Sequence, residues 1–380
     1  MHERPVVVLS GGGTGGHLYP ALAIADELRA LRPDVRAIFV GAERGLEARV
    51  LPERGEEHLL LPVFGVDRSR IFANWRVLTG LVVGLVRVAR LFVRERPEVV
   101  VVTGGYAGAA AGIAAGVMGV PLVLQEQNSV PGAVTKLLTR WASRIHVAFP
   151  EAIPRLPLVP PRVFVSGNPV RARSDSSRET ARRVFGLPAD ATVVLVVGGS
   201  QGSVALNGAM LDLVEEVRSG AIDLPEHLHF LWATGSKHFD GIREALERDG
   251  PPDRLHVVAY LEDMPAALAS ADVAVSRAGA MSTAELLNEG LPAVLVPLPT
   301  AAEGHQAHNA RALAAAGAAL VIPQHELTGE TLAARLVALV SDPDALEGMR
   351  GAARSRARPE AKADIAADVM SLLPPARSSA

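Results

Sequence analysis

Two stretches of the sequence each predict a strand that ends in a glycine loop and continues into a helix. Residues 6–13 read Val-Val-Val-Leu-Ser-Gly-Gly-Gly, and residues 193–200 read Val-Val-Leu-Val-Val-Gly-Gly-Ser. Apolar runs without alternation are typical of parallel strands that helices cover on both faces. A glycine loop before a helix is the usual first unit of a doubly wound, Rossmann-like domain. The repeat therefore predicts an α/β chain with two such domains.

Further short apolar runs complete both halves of the chain. Strands are predicted in the first half at Val6–Leu9, Ala37–Val40, Val99–Val102, Pro121–Leu124 and Ile145–Ala148, and in the second half at Val163–Ser166, Val193–Val197, His229–Ala233, Leu255–Ala259, Val273–Ser276 and Ala293–Val296. A proline-rich patch between Pro150 and Pro161 lies between the strands of the first half and those of the second half. We predict domains over residues 1–166 and 167–345, then C-terminal helices over 346–373, the last of which returns to the first domain.

Composition excludes several classes of protein. The 380 residues carry a net charge of −3 and include no cysteine. This charge gives no indication of nucleic acid as a partner, and a chain without thiols forms no disulfide or cysteine-ligated metal site. The apolar run near the N-terminus is too short for a signal peptide. Residues 99–124 lack charge but contain repeated glycines and Pro121, which favours strand, turn and helix over a membrane span.

The first glycine loop, residues 11–17, is a candidate ligand-binding loop. Glycines let a backbone approach a ligand closely, and the helix that follows points its N–H groups at it. His17 adds a titratable side chain at the end of the loop. A tight turn with no ligand is the plainer alternative. Residues 11–16 also fit G-x-G-x-x-G and Glu43 follows the next strand, so a nucleotide-dependent oxidoreductase is a second alternative.

A polar segment follows the strand at Val273–Ser276. It reads Ser-Arg-Ala-Gly-Ala over residues 276–280 and precedes a helix predicted to begin near Ser282. One interpretation is a diphosphate at the helix N-terminus with Glu285 on a ribose. The other is a capping box, in which Ser282 and Glu285 bond each other's backbone N–H groups. The residues alone leave both open.

Metal dependence is not indicated. His305 and His308 are three apart, but no third ligand is close in sequence. Residues 342–344 are the only D-x-D in the chain, and they stand where a helix N-cap is expected. We predict no metal and no bound cofactor.

The stretch from residue 71 to residue 96 is apolar and helical, with arginines at its end. It is either a core helix with a solvated end or a surface helix that rests on anionic lipid.

Five motifs together are similar in order and spacing to those of the MurG family, the peptidoglycan N-acetylglucosaminyltransferases that convert lipid I to lipid II. These motifs are Gly-Gly-Thr-Gly-Gly-His-Leu-Tyr-Pro-Ala-Leu-Ala over 12–23, Glu-Gln-Asn over 126–128, Gly-Asn-Pro-Val-Arg over 167–171, Gly-Gly-Ser-Gln-Gly over 198–202 and Ser-Arg-Ala-Gly-Ala over 276–280. The likeness runs from about Val6 to about Ala319.

The resemblance implies a GT-B fold with two domains facing a cleft. The lipid-linked acceptor would bind the N-terminal domain, which would also contact the membrane. UDP-N-acetylglucosamine would bind the C-terminal domain. The implied catalytic residues are His17, Glu126 and Asn128; those implied for the acceptor diphosphate are Thr14, Gly15, Gly16 and Tyr106. The residues implied for the donor are Thr14, Gly15, Gly16, Asn128, Arg171, Ser200, Leu261, Ala280, Met281, Ser282, Thr283, Glu285, His305 and Gln306.

Some implied roles are more specific. Leu261 would hold uracil through its backbone, and Glu285 the ribose. The family often has Gln-Gln where this chain has His305-Gln306 after an extra residue, so which of the two contacts the sugar is open. Residues 71–96 would contact anionic inner-leaflet lipid and make the protein peripheral at the cytoplasmic face of the plasma membrane, where other cell-wall synthesis proteins are further partners.

The reaction implied is an inverting displacement, in which an acceptor hydroxyl attacks the anomeric carbon and UDP leaves. His17 is the first choice for general base, because imidazole accepts protons near neutral pH, and Glu126 is the alternative. A different GT-B transferase, a UDP-sugar epimerase or a non-catalytic nucleotide-sugar-binding module are the competing hypotheses.

Overall fold

A computed structural model describes residues 4–63, 75–158, 162–248 and 254–375, with the side chains of residues 75 and 76 left aside. Its strands are β1 Val6–Gly11, β2 Arg36–Ala42, β3 His58–Leu61, β4 Val99–Gly104, β5 Leu122–Glu126, β6 Ala142–Val147, β7 Val163–Val165, β8 Thr192–Val197, β9 Leu228–Ala233, β10 Leu255–Val258, β11 Val273–Ser276, β12 Ala293–Leu295 and β13 Ala319–Val321. Its helices are α1 Gly15–Leu31, α2 Glu47–Glu53, α3 Trp75–Glu95, α4 Gly105–Met118, α5 Ala133–Leu138, α6 Arg178–Val184, α7 Val204–Arg218, α8 Phe239–Glu247, α9 Met264–Ser270, α10 Ala280–Glu289, α11 His305–Ala315, α12 Gly329–Val340, α13 Pro343–Arg356 and α14 Ala361–Met370.

The chain divides into two compact units. The first unit comprises residues 1–170 and 360–380, and the second unit residues 171–359. Within the described residues, the first unit holds a seven-stranded sheet in the order β3-β2-β1-β4-β5-β6-β7, and the second a six-stranded sheet in the order β10-β9-β8-β11-β12-β13. The registered strand pairs of both sheets are parallel. The predicted fold class, two doubly wound α/β domains, is confirmed.

Both faces of the first sheet are buried, as continuous apolar strands require. Val6 and Val8 point into a core shared with α3 and α4, whereas Val7 and Leu9 point into one shared with α1 and α14. Successive residues of a strand face opposite sides of the sheet, so a strand with helices on both sides needs an apolar residue at each position.

Two short strands and one assignment differ from the sequence prediction. β3 and β13 were not predicted; each is short and lies at the edge of its sheet, where fewer apolar residues are needed. A strand at Val163 was predicted correctly, but its assignment to the second half of the chain is wrong. It pairs with β6 in the first sheet, with Ile145 opposite Val163.

α3 carries the apolar and basic stretch that the sequence analysis singled out, although residues 71–74 lie outside the described residues. Val88, Leu91 and Phe92 are buried against the first core. The opposite face leaves a row of large apolar side chains exposed, namely Leu78, Val82, Val83, Val86 and Val93. Among the described helices, none combines the length and the apolarity that a bilayer crossing requires.

Candidate active site

The first glycine loop is held by the backbone geometry that glycine permits. β1 ends at Gly11, Gly13 has φ of 91°, and α1 begins at Gly15 with Thr14 in the N-cap position. A positive φ is costly for residues with a Cβ, so Gly13 is required by the turn. The N–H groups of His17 and Leu18 bond the Thr14 carbonyl, whereas the first N–H groups of a helix have no acceptor within it, as in anion sites at helix N-termini.

His17 lies in the first turn of α1 with its ring fixed from one side. Its Nδ1 is 3.1 Å from the Gly12 carbonyl oxygen and 3.4 Å from the Thr14 hydroxyl. A carbonyl oxygen can only accept a hydrogen bond, so Nδ1 is the protonated nitrogen. In the neutral ring with this proton on Nδ1, Nε2 carries the lone pair, which is the arrangement a general base needs.

The start of α4 completes this side of the site, and only part of it was predicted from sequence. Gly104 and Gly105 have φ of 115° and 76°. A Cβ on Gly104 would lie 2.9 Å from His17 Nε2, and one on Gly105 would lie 2.2 Å from the Gly12 oxygen. Thr103 Oγ1 donates to the His17 carbonyl at 2.7 Å. Tyr106, which was predicted, follows in the first turn and is exposed.

Glu126 lies at the end of β5 and is buried. Its Oε1 accepts from the Asn128 N–H at 3.0 Å and from the Asn128 side-chain amide at 3.3 Å. Its Oε2 accepts from the Gly132 N–H at 3.0 Å and from the Thr135 hydroxyl at 2.6 Å. Four donors from the chain itself occupy this carboxylate, which therefore orders the segment between β5 and α5.

A cluster of buried amides lies beside it, formed by Gln125, Gln127 and Asn168; the last two belong to motifs noted in the sequence, but no role was predicted for any of the three. Gln127 Nε2 donates to the Thr103 carbonyl at 2.7 Å and also bonds the Gln125 side chain. Gln125 Nε2 donates to Asn168 Oδ1 at 3.0 Å, and Asn168 Nδ2 donates to the Gln127 carbonyl at 3.1 Å. The cluster ties the ends of β4 and β5 to the segment after β7. The sequence signal was Gln125, a polar residue that directly follows the apolar residues of β5 inside the strand.

In the second unit, the loop at residues 198–203 repeats the design of the first. Gly199 and Gly202 have φ of 88° and 74°. A Cβ on Gly202 would lie 2.1 Å from the Thr234 carbonyl oxygen, so two loops of this unit pack together without side chains. Ser203 caps α7, its hydroxyl accepting from the Leu206 N–H at 3.3 Å. Ser200 is exposed at the tip of the loop.

The helix after β11 begins earlier than predicted. α10 starts at Ala280 with Gly279 as N-cap, so Ser282 lies inside the first turn and the capping-box alternative is wrong. Thr283 is fully buried: its N–H and hydroxyl donate to the Gly279 carbonyl at 2.9 Å and 3.0 Å, which argues against a contact with a ligand. Ala280, Met281 and Ser282 are half-buried at the helix start.

Glu285 is half-buried one turn further on in α10. Burial raises the pKa of its carboxyl above the ordinary value, and exposed Arg171 partly opposes that rise. Sequence reasoning did not select Arg277, a buried residue whose guanidinium donates to the Val296 carbonyl at 3.1 Å. Burial lowers the pKa of Arg277. Leu261, which follows β10, is buried.

The segment before α11 holds the pair that departs from the family pattern. Glu303 and Gly304 both have left-handed backbones, with φ of 50° and 67°. They bring His305 to the first position of α11, where its Nε2 is 4.0 Å from Glu303 Oε2. Gln306 Oε1 accepts from the Leu298 N–H at 2.9 Å, so its oxygen is committed to the backbone. Both side chains are half-buried, and the Gln306 oxygen is the less available of the two for a hydrogen bond to a sugar hydroxyl.

Two other candidate features have structural explanations. Glu43, the acid of the oxidoreductase alternative, forms an ion pair with Arg87 of α3 at 2.8 Å. Asp342 caps α13, its side chain accepting from the Ala345 N–H at 2.9 Å. The described ranges contain no group of three or more potential metal ligands.

Comparisons of family models, curated sequences and solved structures with this chain all match it to glycosyltransferases. Residues 7–147 match the glycosyltransferase family 28 N-terminal domain, and residues 193–368 match the glycosyltransferase family 28 C-terminal domain. The chain is 42% identical to the UDP-N-acetylglucosamine--N-acetylmuramyl-(pentapeptide) pyrophosphoryl-undecaprenol N-acetylglucosamine transferase of Salinibacter ruber, over 97% of each chain. Identity to the protein of the same name from Desulfitobacterium hafniense is 39%, over 93% of this chain and 96% of that one. A crystal structure of Acinetobacter baumannii MurG has a TM-score of 0.76 at 27% identity, covering 97% of this chain and 99% of that one.

Proposed function

Because this chain belongs to the MurG enzymes of glycosyltransferase family 28, we propose that it transfers N-acetylglucosamine from UDP-N-acetylglucosamine to lipid I, giving lipid II. The acceptor group is the C4 hydroxyl of MurNAc in undecaprenyl-pyrophosphoryl-MurNAc-pentapeptide. The observation that carries the proposal is a likeness that spans both units, each with its own glycine loop before a helix.

On the acceptor side, helix N-termini supply the binding groups. α1 and α4 both begin beside the Gly12 carbonyl, and a helix N-terminus attracts anions through its free N–H groups and its dipole. We assign the diphosphate of the acceptor to Thr14, Gly15 and Gly16 at the start of α1 and to Tyr106 at the start of α4.

His17 is the general base of the proposed mechanism. The hydrogen bond from Nδ1 to Gly12 leaves Nε2 free to take the proton of the acceptor hydroxyl as that oxygen bonds the anomeric carbon. The bond between the anomeric carbon and the UDP oxygen breaks, and its electron pair leaves with UDP. Glu126 is the weaker alternative, because four intramolecular donors already saturate its carboxylate. Asn128, which Glu126 orients through two hydrogen bonds, would contact the substrate.

On the donor side, the start of α10 would bind the diphosphate of UDP through the backbone of Ala280, Met281 and Ser282. The Ser200 hydroxyl and Arg171 would add hydrogen bonds and positive charge, which stabilise the departing UDP. Glu285 would accept from the ribose hydroxyls and the Leu261 backbone would bind uracil. His305 would contact the sugar. Thr283 would not contact the donor, because its hydroxyl donates to the carbonyl groups of Gly279 and Ala280 at the start of α10.

The exposed apolar face of α3 supports binding to the membrane surface that holds the acceptor. Arginines border that face at positions 87, 90 and 94. An amphipathic helix of this kind lies in the lipid interface, and its basic residues are attracted to anionic headgroups. The proposal makes the protein peripheral at the cytoplasmic face of the plasma membrane.

The test is UDP release by the purified protein from UDP-N-acetylglucosamine, with and without a lipid I analogue. We expect release that depends on the acceptor, that falls strongly with UDP-glucose or UDP-N-acetylgalactosamine, and that persists in EDTA. Release without acceptor, or conversion of the donor to an epimer, would instead support the epimerase alternative. UDP binding with no turnover on a competent analogue would contradict the proposed acceptor.

A further inference from the structure

The peptide unit between Gly12 and Gly13 is bonded at both ends. Its carbonyl oxygen accepts from His17 Nδ1 at 3.1 Å, and its N–H, on Gly13, donates to Glu47 Oε1 at 2.5 Å. Glu47 is the first residue of α2 and lies 34 residues away from Gly13 in sequence. One rigid, planar group therefore connects the carboxyl group of Glu47 to the ring of His17.

The site that holds Glu47 is built around its side chain. Glu47 has 0% exposure, and its Oε2 makes no hydrogen bond to any described part of the chain. A Cβ on Gly12 would lie 1.9 Å from Oε1, one on Gly45 would lie 1.8 Å from Oε2, and one on Gly41 would lie 2.8 Å from the Glu47 Cβ. Glycines from the first glycine loop, from the end of β2 and from the connection between β2 and α2 thus make the space that this carboxyl group occupies.

Burial of a carboxyl group with a single hydrogen bond destabilises a fold, because the group gives up its hydration. A loop anchor could be made at lower cost by a neutral acceptor. The carboxyl group of Glu47 is separated by one peptide unit from Nδ1 of His17, the proposed base, and this placement points to a role in the reaction.

We propose that Glu47 is a positioning residue that acts on His17 through the Gly12–Gly13 peptide. This inference rests on the proposed function, in which His17 is the base. By accepting from the Gly13 N–H, Glu47 fixes the plane of the peptide and holds the Gly12 oxygen toward Nδ1. Because hydrogen bonds in a chain polarise one another, the carboxylate makes that oxygen a stronger acceptor. The oxygen in turn keeps the proton on Nδ1 and stabilises the imidazolium that forms when Nε2 takes the acceptor proton.

The alternative is that Glu47 only anchors the loop. Glu47→Gln separates the two roles, since a glutamine keeps the shape and can still accept from Gly13 but carries no charge. Glu53→Gln, at the exposed end of the same helix, is the matched control.

Steady-state UDP release with the lipid I analogue should show kcat of Glu47→Gln reduced about 10- to 100-fold, as for groups that orient a reacting residue. KM for UDP-N-acetylglucosamine should stay at the wild-type value and the thermal unfolding midpoint should not fall, because the neutral amide costs less to bury than the carboxyl group. Glu53→Gln should match wild type throughout. In the His17→Ala background, Glu47→Gln should cause no further loss. Wild-type kcat in Glu47→Gln, or an equal loss in the His17→Ala background, would overturn the inference.

A spectroscopic measurement keeps the inference distinct from the proposed function. In protein with ring-¹⁵N-labelled histidine, the His17 signals, identified by their loss in His17→Asn, should report an unprotonated Nε2 in wild type. In Glu47→Ala they should report a mixture of tautomers, or one mobile ring. Lack of turnover in wild type would refute the acceptor assignment alone, whereas an unchanged His17 tautomer in folded Glu47→Ala would refute the role of Glu47.

Discussion

At the scale of single residues, His17 and Glu126 differ in how many hydrogen bonds each already makes. The ring of His17 is bonded on its Nδ1 side, whereas both oxygens of Glu126 are occupied by the segment that follows β5. A base must have a lone pair that substrate can reach, so the hydrogen bonds favour His17 even though both residues follow strands of the same sheet.

Replacing His17 by alanine should lower kcat about 10²–10⁴-fold, the usual cost of losing a general base. Glu126→Gln should act differently, because its new amide N–H₂ would face donors such as Thr135 or Asn128. We expect it to lower the free energy of unfolding by about 1–3 kcal/mol, with a smaller fall in kcat. UDP release and denaturant unfolding measure the two effects. A loss of kcat in Glu126→Gln as large as in His17→Ala, at wild-type stability, would reverse the assignment.

The absence of a side chain at Gly104 is predicted to be necessary for the position of the His17 ring. In Gly104→Ala the new Cβ would lie 2.8 Å from His17 Cδ2, and the backbone has φ of 115°. Gly119→Ala is the matched control: it also places a Cβ at positive φ, of 72°, but no atom of the described chain lies within 4 Å. Gly119→Ala should lose about 1–2 kcal/mol of stability to left-handed backbone strain. Gly104→Ala should lose more, because its φ of 115° and ψ of −171° lie in a region that essentially only glycine adopts. Only Gly104→Ala should lose kcat, by about tenfold or more, and equal kcat in the two variants would contradict this.

At the scale of elements, α3 differs from the other described helices of the first unit in what it leaves exposed. One face packs on the core through Val88, Leu91 and Phe92. On the other face, the side chains of Leu78 and Val82 are exposed to solvent. A soluble protein that exposes a contiguous apolar row usually covers it in some functional state. The proposed function, with its lipid-linked acceptor, predicts that the bilayer covers this row.

Changing Val82 and Val86 together to glutamate should weaken binding to anionic vesicles by about tenfold or more, because two exposed apolar side chains that the bilayer would bury become charged. Co-sedimentation with phosphatidylglycerol vesicles measures the partition. Val184→Glu changes an equally exposed valine on α6 and should leave binding as in wild type. Activity on a water-soluble acceptor should survive in both proteins. Unchanged vesicle binding in the α3 variant would exclude this face as the membrane contact.

At the scale of the whole molecule, the end of the chain returns to the unit in which it begins. α14 packs against α1, and its Asp368 accepts from buried Arg144 and lies 3.0 Å from His146 Nε2. His146 Nδ1 is 2.8 Å from the Ser166 hydroxyl, and its ring stacks on Phe164. A buried polar cluster thus holds β6, β7 and the last helix together.

This cluster predicts a pH dependence of stability. Burial lowers the pKa of His146 below its ordinary value of 6.5, outweighing Asp368, while Arg144 acts in the same direction as burial and Asp364 opposes it. The unfolded chain therefore binds a proton near pH 6.5 that the folded chain binds only at lower pH, so the contribution of His146 is present above pH 6.5 and is lost as the pH falls.

Wild type should exceed His146→Asn in unfolding free energy at pH 7.5, and the gap should narrow toward pH 5. Chemical denaturation across this range measures it. His325→Asn, at an exposed histidine, is the control and should show no such narrowing. A gap that stays constant with pH would mean that His146 contributes through packing alone.

The sequence by itself determined the class of the fold, because continuous apolar runs followed by glycine loops can be satisfied only by parallel strands covered on both faces. It also located the loops at residues 11–17 and 198–203 and the residue types they present. Edge strands such as β3 were missed, since a short strand with one neighbour needs little apolar sequence.

Only the tertiary structure decided how the candidate residues are used. It showed that Glu126 is saturated, that Thr283 is buried, and that α10 begins before Ser282, which no local pattern distinguishes from a capping box. It also brought Glu47 to the Gly12–Gly13 peptide across 34 residues of chain. The reason is that a hydrogen-bond partner is set by distance in the folded chain, whereas sequence patterns report the secondary structure of a segment and the face that it buries.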